Sequence, residues 1–131
     1  MATSTEFLDT NCLLRYVLGD NEAQATKVEL LVAQGVRVQT EAFLEFVWVL
    51  ESFYKMNRHQ VFQKIEVFTE DKRVACDREL LTKVGELYLA YSQISFLDAF
   101  LAVMAGQKGG RLRTFDKNLA KNLPQLANLI N

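Results

Sequence analysis

The chain has 131 residues, of which 50% are hydrophobic, and its formal net charge is -1. This length suits one domain with a real hydrophobic core and is too short to suggest two domains. Because the chain has no overall positive charge, any nucleic-acid partner must be held by a local basic patch.

The first half of the chain alternates predicted strands and helices. In chain order, apolar spacing and glycine breaks predict a strand at 7–8, helices over 11–18 and 22–34, a strand at 36–38 and a helix over 40–54. Thr40 is the expected N-cap of the last of these helices. Between residues 43 and 50 only Glu45 is charged, so this helix is predicted to be buried on every side.

The second half continues the alternation. The predicted elements are a helix over 57–69, a strand at 72–76, a helix after Asp77, a helix over 98–107, a strand at 111–114, a turn into 116–122 and an edge strand at 126–130. No internal repeat or linker interrupts them. We therefore predict one α/β domain over 1–131, with a short, mainly parallel central sheet flanked by helices.

The compartment is predicted from the cysteines and from the absence of targeting signals. Cys12 and Cys76 have no CxxC spacing, which argues against a metal knuckle or a disulfide scaffold and favours a reducing environment. The first six residues lack the basic and apolar regions of a signal peptide, and no segment approaches 18 uninterrupted apolar residues. We expect a soluble cytoplasmic protein with no membrane partner.

Carboxylates interrupt or end several apolar segments, namely at Asp9, Glu45, Asp98 and Asp116. An unpaired charge is costly in such a setting, and a bound cation would compensate for that cost. In an open parallel sheet, ligands bind where strands lead into helix N-termini, so acids from four parts of the chain could meet there. Mg²⁺ or Mn²⁺ prefers carboxylate oxygens and would remove the repulsion between these charges.

A structural explanation of the same acids stays open. Asp is a favoured N-cap, and Asp9, Asp98 and Asp116 all occupy positions typical of caps. Glu45 is harder to explain in this way, because its neighbours are nearly all residues of the kind found in cores.

The order of these motifs resembles that of a known family. The segments that carry the resemblance are Phe-Leu-Asp-Thr-Asn at 7–11 with Leu-Leu-Arg-Tyr at 13–16, Glu45 with Trp-Val-Leu at 48–50, Asp-Ala-Phe-Leu-Ala at 98–102 and Thr-Phe-Asp at 114–116. In this order the chain resembles the PIN-domain nucleases and, more narrowly, the VapC-type toxins of bacterial toxin-antitoxin pairs. The resemblance extends over nearly the whole chain and implies a single PIN-like domain.

The resemblance implies a metal-dependent endoribonuclease that uses Mg²⁺ or Mn²⁺. Its catalytic residues and metal ligands would be Asp9, Glu45, Asp98 and Asp116. Residues expected to support the site by hydrogen bonding are Thr10, Asn11 and Thr114. Many relatives carry a further acid shortly before the helical Asp, but the corresponding region here reads Ile-Ser-Phe-Leu, so Ser95 is a poor candidate for an additional ligand. The expected reaction is in-line attack on an RNA phosphodiester by a water that the metal activates.

The RNA is expected to bind a local basic rim, which we define as Lys108, Arg111, Arg113, Lys117 and Lys121. Arg15 is a weaker candidate for phosphate contact. The alternative is that the rim consists only of solvated surface charges near helix ends. The implied protein partners are a cognate antitoxin and a second copy of the chain, with an interface in the helices between residues 22 and 69.

Several residues are given structural interpretations. Trp48 and the phenylalanine-rich stretches recur with helical spacing and are assigned to the core rather than to base stacking. His59, the only histidine, is expected at the surface, and Cys12 is interpreted as a small buried hydrophobe.

Two other functions remain open. An Asp after the first strand could be the nucleophile of a phosphatase, but the haloacid-dehalogenase pattern requires a second Asp where this chain has Asn11. The domain could also be a non-catalytic interaction module that keeps only the fold.

Overall fold

A computed structural model of the chain describes residues 5–131. The described chain divides into two compact units. The first unit ends at Asp77, and the second unit runs from Arg78 to Asn131. Each unit contains helices and one pair of parallel strands, so the predicted α/β class is confirmed.

The elements of the first unit are α1 (Thr10–Leu18), α2 (Glu22–Ala33), β1 (Val36–Arg37), α3 (Thr40–Ser52), α4 (Arg58–Thr69) and β2 (Val74–Ala75). The elements of the second unit are α5 (Arg78–Ala90), α6 (Phe96–Gln107), β3 (Leu112–Thr114), α7 (Lys117–Asn122) and β4 (Ala127–Leu129). Most boundaries lie within two or three residues of the sequence prediction. No helix within residues 5–131 is long and apolar enough to cross a membrane.

The strands are shorter than predicted and pair separately in each unit. Strand β1 pairs with β2, and β3 pairs with β4, both in parallel register. The predicted first strand is reduced to a parallel bridge between Phe7 and Arg37, although Leu8 N–H also donates to the Arg37 carbonyl at 2.9 Å. The sequence predicted a single sheet, but the structure has two separate pairs of strands. The strands have only two or three residues each, and a helix begins a few residues after β1, β2 and β3.

The core of the first unit is built on aromatic rings from three helices. Phe68 of α4 lies 5.9 Å from the rings of both Phe43 and Phe46 of α3, in edge-on geometry, and 5.7 Å from Tyr16 of α1. All three phenylalanines have no exposed surface. This cluster joins α1, α3 and α4, and therefore fixes the two helices that carry Asp9 and Glu45.

Helix α3 is amphipathic, and the prediction that it is buried on every side is wrong. Its buried residues are Phe43, Phe46, Val47 and Leu50, which follow helical spacing along one side. Glu45 is exposed, and Trp48, one turn later, is 65% exposed, so its assignment to the core is also wrong. The N-cap of α3 is Gln39, and not Thr40 as the sequence predicted.

The second unit packs α5 against α6 and closes on the C-terminal segment. Tyr88 of α5 and Phe96 of α6 stack edge-on at 5.3 Å, beside fully buried Ala99 and Ala102. At Gly106 a Cβ atom would lie only 2.9 Å from the Leu126 side chain, so glycine permits the close approach of this segment. Strand β3 pairs with β4 in this segment, and the chain turns from β3 through Phe115 into Asp116.

Candidate active site

Asp9 is the N-cap of α1. Its Oδ1 accepts a hydrogen bond from the backbone N–H of Cys12 at 2.9 Å, and its side chain is exposed. The backbone N–H of Cys12, together with its thiol and the N–H of Asn11, holds the pKa of Asp9 below its ordinary value, although partial burial opposes this effect. Asp9 therefore carries a negative charge at neutral pH, as a ligand for a cation must.

Glu45 lies on a helix that is tied to the Asp9 turn. Thr10, the residue after Asp9, donates from Oγ1 to the Ala42 carbonyl of α3 at 3.2 Å. Ala42 and Glu45 are three residues apart, which places them on neighbouring positions of the same helix surface. The first unit thus brings the start of α1 against the part of α3 that carries Glu45.

Asp116 is the N-cap of α7. Its Oδ1 accepts from the backbone N–H groups of Asn118 at 2.9 Å and Leu119 at 3.1 Å, while its own N–H donates to Thr114 Oγ1 at 2.9 Å. Thr114 therefore shapes the turn that presents this carboxylate. Both Asp9 and Asp116 therefore act as N-caps, as the structural explanation of these acids predicted.

Asp98 is not a cap, because Ser95 occupies that position in α6. The Ser95 Oγ accepts from the backbone N–H of Asp98 at 3.0 Å, and Asp98 is half-buried in the first turn. Sequence reasoning gave Ser95 no role, although Ser followed by an acid three residues later is a typical signal for a helix start. Ser95 positions the backbone of Asp98 instead of binding a ligand itself.

The four candidate acids are not buried charges, which corrects the premise that a cation must compensate for desolvation. Asp9, Glu45 and Asp116 are exposed. Among the residues that the structure describes, the carboxylates of Glu45 and Asp98 form no hydrogen bond or ion pair, so their oxygens are open to an external ligand. What argues for a ligand is this openness and the chemistry of the acids, not a cost of burial.

The donor set fits a hard divalent cation. It consists of carboxylate oxygens only, and both capping acids use Oδ1 in their cap bonds. Mg²⁺ and Mn²⁺ favour such ligands and keep several waters. Asp9 and Glu45 lie in the first unit, and Asp98 and Asp116 lie in the second. Among residues 5–131, no three His, Cys, Asp or Glu side chains group closely enough to hold a metal ion.

The cations of the predicted basic rim divide into two groups. Arg111 donates to the Pro124 carbonyl at 2.9 Å, and Arg113 donates to the Leu129 carbonyl at 3.5 Å, so both support the C-terminal segment. The other three form no hydrogen bond or ion pair among residues 5–131, and these are Lys108, Lys117 and Lys121. All five are exposed and none is neutralised by a carboxylate within the described chain.

Arg15 has structural partners in the first unit. Its guanidinium forms an ion pair with Asp20 at 2.9 Å and donates to the Tyr54 hydroxyl at 3.4 Å. These contacts connect α1 with the loop that follows it and with the end of α3. Its contact with RNA stays a prediction.

The remaining sequence interpretations concern residues without a direct catalytic role. His59 is exposed in the first turn of α4, as expected. Cys12 is half-buried, and burial, with the Asp9 carboxylate as a smaller cause, raises the pKa of its thiol. A protonated thiol is a poor nucleophile, which agrees with a packing role. Asn11 is exposed and its side chain forms no hydrogen bond within residues 5–131.

The sequence matches the PIN domain family over residues 7–122, a span that contains all four candidate acids. The chain belongs to the PIN domain family. PIN domains are generally nucleases, and they typically use a divalent metal. No curated protein matches this PIN domain. Its narrower resemblance to the VapC-type toxins stays a prediction.

Proposed function

We propose that this PIN domain is a divalent-metal-dependent endoribonuclease that acts as the toxin of a toxin-antitoxin pair. The observation that carries the proposal is the family match over residues 7–122, within which all four acids are present. Three of these acids are exposed and Asp98 is half-buried, and each lies in a helix or directly before one. The proposal is narrower than the family, because it specifies RNA, a metal and a biological role.

The residues of the chain have distinct tasks in the proposed reaction. Asp9 and Asp116 are direct ligands of Mg²⁺ or Mn²⁺, and they are held in place by the backbone N–H groups that they cap. Asp98 is the next ligand, and Glu45 either binds the ion or orients water. When bound, the ion supplies a water of lowered pKa and positive charge at the phosphate. Thr10 and Thr114 keep the two capping acids in position through their hydroxyl groups.

Substrate binding is assigned to the basic rim beside Asp116. Lys108, Lys117 and Lys121 have no carboxylate partner in the described chain, so they can neutralise phosphates without breaking an internal bond. This supports a nucleic-acid substrate in a protein whose overall charge is -1.

Metal removal tests the reaction. The purified chain is expected to cut a labelled single-stranded RNA in Mg²⁺ or Mn²⁺, to stop in excess EDTA and to resume when the metal is restored. Attack by water displaces the 3′ oxygen, so the products should carry 5′-phosphate and 3′-hydroxyl ends rather than a cyclic phosphate. A DNA of the same sequence is the control. RNA that stays intact with every divalent ion, or products with cyclic phosphate ends, would reject the proposal in favour of an interaction module or a different reaction.

We also propose an antitoxin and a second copy of the chain as partners. Large exposed apolar side chains in the region from residue 22 to 69 include Leu30, Leu31, Trp48 and Val67. Exposed apolar groups of this kind occur at protein interfaces, and Arg side chains of an antitoxin could bind the open carboxylates. Sedimentation of the chain alone is expected to report a dimer that Trp48→Ala weakens. A monomer at all accessible concentrations would contradict the homodimer.

A further inference from the structure

Phe115 is the most exposed large hydrophobic residue in the described chain, at 75%. It lies in the turn between β3 and α7, directly before Asp116, and its ring forms no aromatic contact within residues 5–131. A single exposed Phe is ordinary on a protein surface. Phe115 differs from an ordinary exposed Phe in its fixed backbone and in the charged residues next to it.

The backbone on both sides of Phe115 is fixed by hydrogen bonds. The Thr114 carbonyl accepts from Ile130 N–H at 2.8 Å, and Thr114 Oγ1 accepts from Asp116 N–H at 2.9 Å. Asp116 in turn caps α7 through the N–H of Asn118. The ring is therefore held out from a rigid turn and has only two side-chain torsions to lose when a ligand binds.

Within two residues of Phe115 along the chain, every charged residue except Asp116 is positive. Arg113 and Lys117 lie two residues before and two residues after Phe115, and both are exposed. The contact of Arg113 with the Leu129 carbonyl at 3.5 Å keeps its guanidinium on the strand next to the turn. An aromatic face between cations is the arrangement by which proteins bind single-stranded nucleic acid, because every base can stack and every phosphate is anionic.

We infer that Phe115 stacks on a base of the RNA substrate, with Lys117 and Arg113 at the flanking phosphates. The stack places the strand beside Asp116, so that Phe115 is a binding residue and not a catalytic one. This inference rests on the proposed function, in that the ligand is single-stranded RNA. A protein partner at Phe115 is treated below as an outcome of the test.

Phe53 is a matched control for Phe115. It is also a phenylalanine, it is 74% exposed, and it lies in the first unit directly after α3. Its neighbours at the same spacing are Glu51 and Lys55, so the local charge is balanced. Truncation of either ring removes nearly the same exposed area. The rings differ in position and in one contact, since the Phe53 ring lies 5.0 Å from the Tyr54 ring.

The test measures binding of a fluorescent single-stranded RNA to the full chain in EDTA, where metal-dependent cleavage cannot occur. Phe115→Ala is expected to weaken binding about 10-fold or more, the range for loss of a stacked base. Phe115→Trp should keep the affinity within about twofold, while Phe115→Leu, which is apolar but cannot stack, should behave like Phe115→Ala. Phe53→Ala should bind as the wild type does, and RNA that lacks bases should bind all variants equally.

Several results would overturn the inference. They are an unchanged affinity of Phe115→Ala, an equal loss in Phe53→Ala, full binding by Phe115→Leu, or a change only in sedimentation, which would mark Phe115 as a protein contact. The two proposals fail separately. If the wild type cuts RNA but Phe115→Ala binds RNA normally, only the stacking inference is rejected. If RNA binding depends on Phe115 but the wild type does not cut RNA, only the proposed nuclease activity is rejected.

Discussion

Asp9→Asn is expected to lower metal-dependent RNA cleavage by about 100-fold or more, since the charge that the metal requires contributes several kcal/mol to such reactions. The free energy of unfolding should change by no more than about 0.5 kcal/mol, because Asn caps helices about as well as Asp does. Asp9 caps α1 with a single oxygen, and the amide of Asn offers the same oxygen to Cys12 N–H. Cleavage assays and urea unfolding of the same preparation measure the two effects.

The companion variants separate chemistry from stability. Asp9→Ala removes both the charge and the cap, and should cost about 1 kcal/mol of stability in addition to the activity. Glu41→Gln is the control for loss of a negative charge, because Glu41 is exposed on α3 one turn before Glu45. It should cleave RNA like the wild type. Full activity in Asp9→Asn would show that Asp9 is only a cap.

Phe68→Ala is expected to destabilise the chain by about 3–5 kcal/mol, the range for loss of a large buried aromatic side chain. Phe68 has no exposed surface and lies within 6 Å of the rings of Phe43, Phe46 and Tyr16. Its removal would leave a cavity at the point where α1, α3 and α4 meet. Since α1 and α3 carry Asp9 and Glu45, RNA cleavage should fall as well.

The measurement is urea-induced unfolding followed by far-ultraviolet circular dichroism. Phe53→Ala truncates an exposed ring whose aromatic contact is with Tyr54, and should cost no more than about 1.5 kcal/mol. Phe68→Leu should lie between the two, because it retains part of the buried apolar volume. A loss below about 1 kcal/mol in Phe68→Ala would contradict the central place of this ring in the core.

The helices could be predicted because their ends are encoded locally. Helix α4 begins after Asn57, whose side chain accepts from Gln60 N–H while the Gln60 side chain accepts from Asn57 N–H, both at 2.9 Å. Such a capping box is visible in four consecutive residues. The Ser95 cap of α6 is an equally local signal, because its Oγ accepts from the N–H of Asp98 three residues later.

The environment of α3 could not be predicted in the same way. Its sequence is apolar on most positions from 43 to 50, but only one side is covered by α1 and α4, and Trp48 is left exposed. Which positions of an apolar helix are buried depends on the helices that pack against it. Those contacts join residues distant in sequence, such as Phe43 and Phe68.

The sequence by itself determined the helices, the parallel direction of the strands and membership of the PIN family, because caps, apolar periods and the order of motifs are local properties. Tertiary structure alone decided that the strands form two short pairs and that Glu45, Trp48 and Phe115 face solvent. It also decided that Asp9 and Asp116 each cap a helix, whereas Asp98 does not. Burial and strand pairing depend on neighbours that folding brings together, and no segment carries that information alone.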